Sequence, residues 1–220
     1  MSGTTAPRAV VFDFDGTIID SLPLVLAAIT HAIEPFGARP TMDIFARLGG
    51  PPARFMTNLV ADLQNVPAAL ERMERYHREN VHLVRPYSGV HEHLDRLTRV
   101  GLKLALWTGR DRASCEWLLE EHRLRSYFST VVCGDDLSTH KPEPEGLREI
   151  LRRLEVRAEE TLLVGDADVD VLGGVACGVD TVLIRHEREI GRGVAEQSWR
   201  TVASPAEAFE VVLARVTTPR

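Results

Sequence analysis

Two aspartates one residue apart stand at the head of the chemistry this chain can do. Asp13-Phe14-Asp15-Gly16-Thr17 comes directly after a four-residue apolar run, Ala9 to Phe12. In extended backbone, residues i and i+2 point to the same side, so the two carboxylates face one space. Gly16 permits a sharp turn that brings backbone N–H groups toward an anion. At ordinary residue usage, such a pattern arises by chance in roughly one chain of this length in a few hundred. Its placement also matters, since parallel sheets hold their ligands at the carboxyl ends of their strands.

The elements that must position this turn can be read from the apolar pattern. Short runs at Ala9 to Phe12, Leu102 to Trp107, Thr130 to Cys133, Thr161 to Val164 and Thr181 to Ile184 read as strands. Amphipathic stretches at Asp111 to His122, Glu143 to Leu154 and Asp168 to Cys177 read as crossover helices between the last four. Gly178 then stands where a left-handed helix end is wanted, and Gly173 and Gly174 would let the last helix approach a sheet closely. The first two strands, by contrast, are separated by residues 13 to 101, and helical patterns at Leu22 to Phe36, Arg54 to Gln64 and Ala68 to Leu83 fill the gap. Prolines and glycines break that insertion into short pieces, and Arg85 to Gly89 read as the return linker. The expected architecture is an α/β fold, with a Rossmann-like parallel core over residues 1–20 and 86–220 and a helical subdomain over 21–85.

With its aspartate pair at the first strand end, the sequence resembles the haloacid dehalogenase-like (HAD) superfamily of aspartate-nucleophile phosphatases. The three further signatures of that superfamily appear in order at later strand ends, so that the match spans residues 9 to 184. They are Thr108, then Lys141 in His-Lys-Pro-Glu-Pro, then Gly165-Asp166-Ala167-Asp168-Val169-Asp170. The resemblance implies that Asp13 attacks phosphorus to form an aspartyl-phosphate, and that Asp15 shuttles the proton. It implies that Thr108 and the Gly109 N–H bind phosphoryl oxygens while Lys141 offsets negative charge. Mg2+ is the implied cofactor, met by the Asp13 and Asp166 carboxylates and the Asp15 carbonyl, with Asp170 close by or acting through water. Gly16, Thr17 and Arg110 are further expected substrate contacts.

Other readings of the same residues are weaker. A calcium loop starting at Asp166 needs Gly at its sixth position and Glu at its twelfth, where the chain has Val171 and Cys177. No GxxxxGK[ST] loop is present. A two-component receiver domain would not need the helical insertion. Departures from the family are Gly109 and Arg110, where many relatives carry Asn after the Thr or Ser, and Ala167, where Ser is frequent. Dehalogenases lack the second aspartate and phosphonate hydrolases replace it with a small residue, so Asp15 argues against both. The insertion resembles the small helical cap of the phosphoglycolate phosphatase-like branch, in which Arg39, Arg47 and Arg54 are the candidates to meet a substrate anion and the turn Gly49, Gly50, Pro51, Pro52 is the segment expected to face the active site and contact substrate.

Lys and Arg number 26 against 32 for Asp and Glu, a net charge of −6, so the composition offers no general attraction to nucleic acid or anionic lipid. Three cysteines without a CxxC pair support neither a disulfide framework nor a zinc ribbon. No signal-peptide core or membrane-length apolar run is seen, which leads to the expectation of a cytoplasmic protein, monomer or homodimer. The sequence thus reads as a Mg2+-dependent phosphatase of a small phosphorylated metabolite, phosphoglycolate-like or a sugar phosphate. A β-phosphoglucomutase-like phosphotransferase is the alternative within enzymes. A non-catalytic HAD-like binding module is disfavoured by Asp13, Asp15, Thr108, Lys141 and Asp166 being present together.

Overall fold

The structure is a computed structural model that describes residues 6–37, 52–186 and 192–217, with backbone alone for 52–55 and 192. The chain divides into two compact units, Met1–Ile18 with Pro86–Arg220, and Ile19–Arg85.

The first unit is built on strands β1 (Ala9–Phe12), β4 (Lys103–Trp107), β5 (Thr130–Val132), β6 (Thr161–Gly165), β7 (Asp180–Ile184) and β8 (Arg200–Val202). They form one sheet in the order β5-β4-β1-β6-β7-β8, and every neighbouring pair is parallel. The sequence cause is visible in β1, where Ala9, Val10, Val11 and Phe12 are all buried. A strand covered on both faces reads as a continuous apolar run rather than an alternating one. In register, Val11 lies opposite Ala105 on one side and Leu163 on the other. The winding direction reverses at β1, so the carboxyl ends of β4, β1 and β6 flank the crevice where such sheets hold ligands.

Helices Arg112–Glu121, Glu145–Leu154 and Asp168–Cys177 connect these strands. Asp111 caps the first, its carboxylate accepting from the Ser114 N–H at 2.9 Å. Gly173 of the last helix makes the close approach expected of it, because a Cβ built there would overlap the Trp107 ring. Trp107 itself is buried in the cluster with Ala9, Val11, Val132, Leu147 and Leu163. Each expected strand and crossover helix is present, with ends within two residues of the sequence reading. Past Ile184 that reading makes no assignment, and the structure adds β8 and the helix Pro205–Thr217. Phe209 of this helix stacks on His93 and leans on Phe12, with ring centroids 4.8 and 5.3 Å apart.

The second unit is helical. Its helices are Leu22–Ile33, Pro52–Leu59 and Val66–Asn80, and its core joins Ile29, Ala32, Ile33, Met56, Val60, Val66 and Ala69. The middle helix starts two residues earlier than its sequence pattern suggests, at Pro52, since proline suits a first turn. It also stops earlier, at Leu59. Asp62 then caps a separate short turn by accepting from the Gln64 N–H at 3.0 Å. Short strands β2 (Ile19–Asp20) and β3 (Arg85–Pro86) pair where the insertion leaves and rejoins the chain. Among the described residues, no helix is long and apolar enough to cross a membrane.

Candidate active site

The site grows from the ends of the central strands. Asp13 extends β1 by one residue, its N–H donating to the Val164 carbonyl at 2.8 Å, and Thr108 extends β4 in the same way toward Val132 at 3.0 Å. Phe14 is fully buried, and its carbonyl accepts the Ile18 N–H at 2.9 Å, so the chain turns sharply at once. Gly16 makes that turn in the left-handed region, at φ 75°. A Cβ there would overlap the Asp166 carboxylate, so the glycine leaves room for an acid as well as for the turn.

Three buried aspartates, Asp13, Asp166 and Asp170, each present a carboxylate oxygen within 4.8 Å of the others. Lys141 closes one side of this cluster, its Nζ donating to Asp13 Oδ1 and to Asp170 Oδ1 at 2.6 Å each. The other Asp170 oxygen accepts the Ala167 N–H at 3.0 Å, at the start of the helix Asp168–Cys177. Both oxygens of Asp170 therefore have protein donors. The Lys141 ammonium also lies 4.9 Å above the centre of the Trp107 ring.

The electrostatics follow from burial. Removal from water pushes the Asp13 carboxyl well above its ordinary range; Lys141 works against this, and Asp170 and Asp166 add to it. Burial disfavours the Lys141 ammonium as well, but Asp13 and Asp170 outweigh it and hold its pKa above the usual lysine value. Hard carboxylate oxygens without a histidine or cysteine among them are the donor set suited to Mg2+. The residues present fit that cation, with Asp13 and Asp166 best placed to hold it.

Thr108 is buried and its Oγ1 accepts the Arg110 N–H at 3.1 Å. Gly109, next to it, is exposed and faces open space. Arg110 turns back to the first strand end: its Nε donates to Asp15 Oδ2 at 3.0 Å and its Nη2 to Asp15 Oδ1. Burial opposes the guanidinium charge, while Asp15 more than restores it. Thr17 is fully buried, and its hydroxyl is among the groups that lack a hydrogen-bond partner. His140 is exposed. Arg39, Arg47, Gly49, Gly50 and Pro51 lie outside the described residues, and of Pro52 and Arg54 only the backbone is described.

One residue at this site escapes the sequence reading. His186 Nε2 donates to the Gly16 carbonyl at 2.7 Å and stands 3.9 Å from Asp166 Oδ2, with its ring stacked on Tyr87. It lies two residues past the end of β7, so the strand-end rule that picks out Asp13 and Thr108 would have found it.

The matches to known proteins agree with this geometry. A model of the haloacid dehalogenase-like hydrolase family matches residues 10–184. Phosphoglycolate phosphatase 1 of Pseudomonas aeruginosa is 31% identical over 205 residues, covering 89% of this chain and 75% of that protein. Pyrophosphatase PpaX of Halalkalibacterium halodurans is 33% identical over 186 residues, covering 81% and 84%. The crystal structure of a HAD-superfamily hydrolase, subfamily IA, from Geobacter sulfurreducens superposes with a TM-score of 0.70 at 26% identity, covering 96% of this chain and 99% of that one. With the parallel sheet, the strand-end aspartates and the lysine in place, the chain belongs to the haloacid dehalogenase-like hydrolase family, as one of its phosphatases.

Proposed function

We propose that the protein is a Mg2+-dependent phosphatase of a small phosphorylated metabolite that works through an aspartyl-phosphate on Asp13. The observation that carries this reading is Lys141 at 2.6 Å from Asp13, beside Asp166 and Asp170, at the carboxyl end of the central strand. A phosphate monoester repels an attacking carboxylate, so transfer needs fixed positive charge and donors around the phosphoryl oxygens. Bound Mg2+ supplies part of that charge and polarises the phosphoryl group.

The chain's own residues do the rest. Lys141 keeps the Asp13 carboxylate aimed and balances its charge. Thr108 Oγ1 and the Gly109 N–H orient the phosphoryl oxygens. As an Asp13 oxygen bonds to phosphorus, the bond from phosphorus to the ester oxygen breaks, and Asp15 gives its proton to that oxygen. Asp15, now ionised, takes a proton from the water that attacks the aspartyl-phosphate, which frees inorganic phosphate and restores Asp13. Two of the relatives are a phosphoglycolate phosphatase and a pyrophosphatase. Glycolate and phosphate, the groups those substrates release, are both anions. We take phosphoglycolate-like compounds as the leading substrate class, with sugar phosphates next.

The test is phosphate release from a panel of phosphorylated metabolites with Mg2+ and after exhaustive chelation. Asp13→Asn should lower release by at least about a thousandfold while the protein stays folded, because a neutral isostere suits a buried site that disfavours charge. The parent protein given substrate and quenched in acid should carry a phosphoryl group on Asp13. Comparable release by folded Asp13→Asn, or full activity without divalent cation, would overturn the reading.

A further inference from the structure

Lys141 has a third neighbour besides its two carboxylates. Its ammonium carries three N–H donors, and Asp13 and Asp170 take two of them at 2.6 Å each. The same nitrogen stands 4.9 Å over the Trp107 ring, within range of attraction to the negative ring face. The Lys141 side chain is only 7% exposed and Trp107 is buried, so little solvent screens the pair. Two helices give up a side chain to make room for this ring. A Cβ at Gly146 would stand 2.3 Å from the indole Nε1, and one at Gly173 would stand 2.5 Å from Cη2 at the far edge. Glycine in a helix costs stability relative to alanine, and a smaller aliphatic side chain at position 107 would have filled the core without that cost.

Resting on the proposed function, in which Lys141 balances the charge at Asp13, we propose that Trp107 is a positioning residue that holds the Lys141 ammonium in place by a cation–π contact throughout the catalytic cycle. Trp107 is the last residue of β4, so the strand that leads to Thr108 also carries the floor beneath the lysine. The need for such a floor arises in the covalent step. Once Asp13 is esterified to phosphorus it is no longer a carboxylate anion, and Lys141 loses one of its two charged partners. Asp170 remains, and so does the ring, whose attraction for a cation does not depend on the state of Asp13. An aliphatic residue would fill volume without holding charge. A lysine displaced by an ångström or so would no longer be aimed at the phosphoryl oxygens it balances.

The decisive experiment changes the charge on the ring face while nearly keeping the ring's shape. Tryptophans bearing an increasing number of ring fluorines, up to four, are placed at position 107 alone in the full chain, since fluorine drains negative charge from the face. With Mg2+ and an aryl phosphate as substrate, kcat/KM should fall stepwise, to about a thirtieth of the parent value with four fluorines, the worth of a desolvated cation–π contact. The melting temperature should fall along the series as well, and that fall should vanish in Lys141→Met protein, where the cation is gone. Trp107→Phe, with a weaker ring face, should keep more activity than Trp107→Leu. A series flat in kcat/KM would overturn the proposal and leave Trp107 as packing alone. Equal falls in melting temperature with and without the lysine would overturn it too. The proposed function fails separately: a flat series in a protein that still forms the aspartyl-phosphate removes only the role of Trp107, whereas phosphate release by folded Asp13→Asn protein removes the function itself.

Discussion

Gly16 and Gly37 have nearly the same backbone, φ 75° and 73°, in different units of the molecule. Around Gly37 a Cβ would meet nothing within 4 Å, whereas at Gly16 it would overlap the Asp166 carboxylate. One glycine answers only to its own dihedral angle and the other also to the chemistry beside it. The contrast holds more widely. The sheet unit buries Asp13, Asp166 and Asp170 at its strand ends, while the core of the helical unit is a cluster of aliphatic residues and one methionine. In the first unit, residues are constrained position by position; in the second, by pattern and volume.

The sharpest way to break this comparison is to give both glycines the same side chain. Gly16→Ala and Gly37→Ala should each lose about 1–2 kcal/mol from the left-handed strain. Only Gly16→Ala should also lose activity, by about a hundredfold, because the displaced Asp166 moves a ligand by an ångström or so. Its Mg2+-induced rise in melting temperature should shrink too. Equal activity in the two variants, measured by phosphate release and calorimetry, would show that Asp166 adjusts freely.

Ile29→Ala removes a fully buried side chain from the helical cluster and should cost about 2–5 kcal/mol. Limited proteolysis should then cut first within 19–85, while the response of the melting temperature to Mg2+ stays at its parental size. A loss of that response would join two regions we treat as independently built.

The smallest effect concerns acid stability in the sheet unit. Asp136 is held below the ordinary carboxylate range, chiefly by its hydrogen bonds from Arg112, including Nε to Oδ1 at 2.7 Å, and also by the Cys133 N–H. A lowered folded-state pKa contributes stability that is present above the unfolded value near 4 and is lost as pH falls through the folded value. Because Arg112 is 39% exposed, solvent screening limits the effect to about 1 kcal/mol or less. Asp136→Asn should flatten the fall in unfolding free energy between neutral and strongly acidic pH by that amount, read from denaturant titrations, and an unchanged acid profile would count against the pair.

The residues most legible in the sequence are those whose type and strand-end position carry the information together. Asp13, Thr108 and Asp166 can be found because a buried parallel strand announces itself as an apolar run, and the residues just past its carboxyl end face the crevice; Lys141, nine residues past the end of β5, is legible only through its motif, His-Lys-Pro-Glu-Pro. The Arg110–Asp15 fork could not be found this way, since it joins residues 95 apart through the angle of a turn packed on Gly134. Asp170 was legible as an acid near the site, but not as an acceptor for Lys141 and Ala167 at once. β8 has only three residues, Arg200–Val202, two of them exposed, so the apolar pattern was too short to mark it.

The register of β1 has a consequence for how the molecule comes into being. Ala9 pairs with Lys103 and with Thr161, so the strand that carries Asp13 at its end has no sheet partner until long stretches of chain have been made. The helices between Leu22 and Asn80, in contrast, make contacts that are near in sequence and need little loop closure. On a ribosome, the inserted unit can condense while both neighbours of β1 are still unsynthesised. The aspartate cluster is thus begun at the start of the chain and completed only later, when β6 slots beside β1 and brings Asp166 to Asp13.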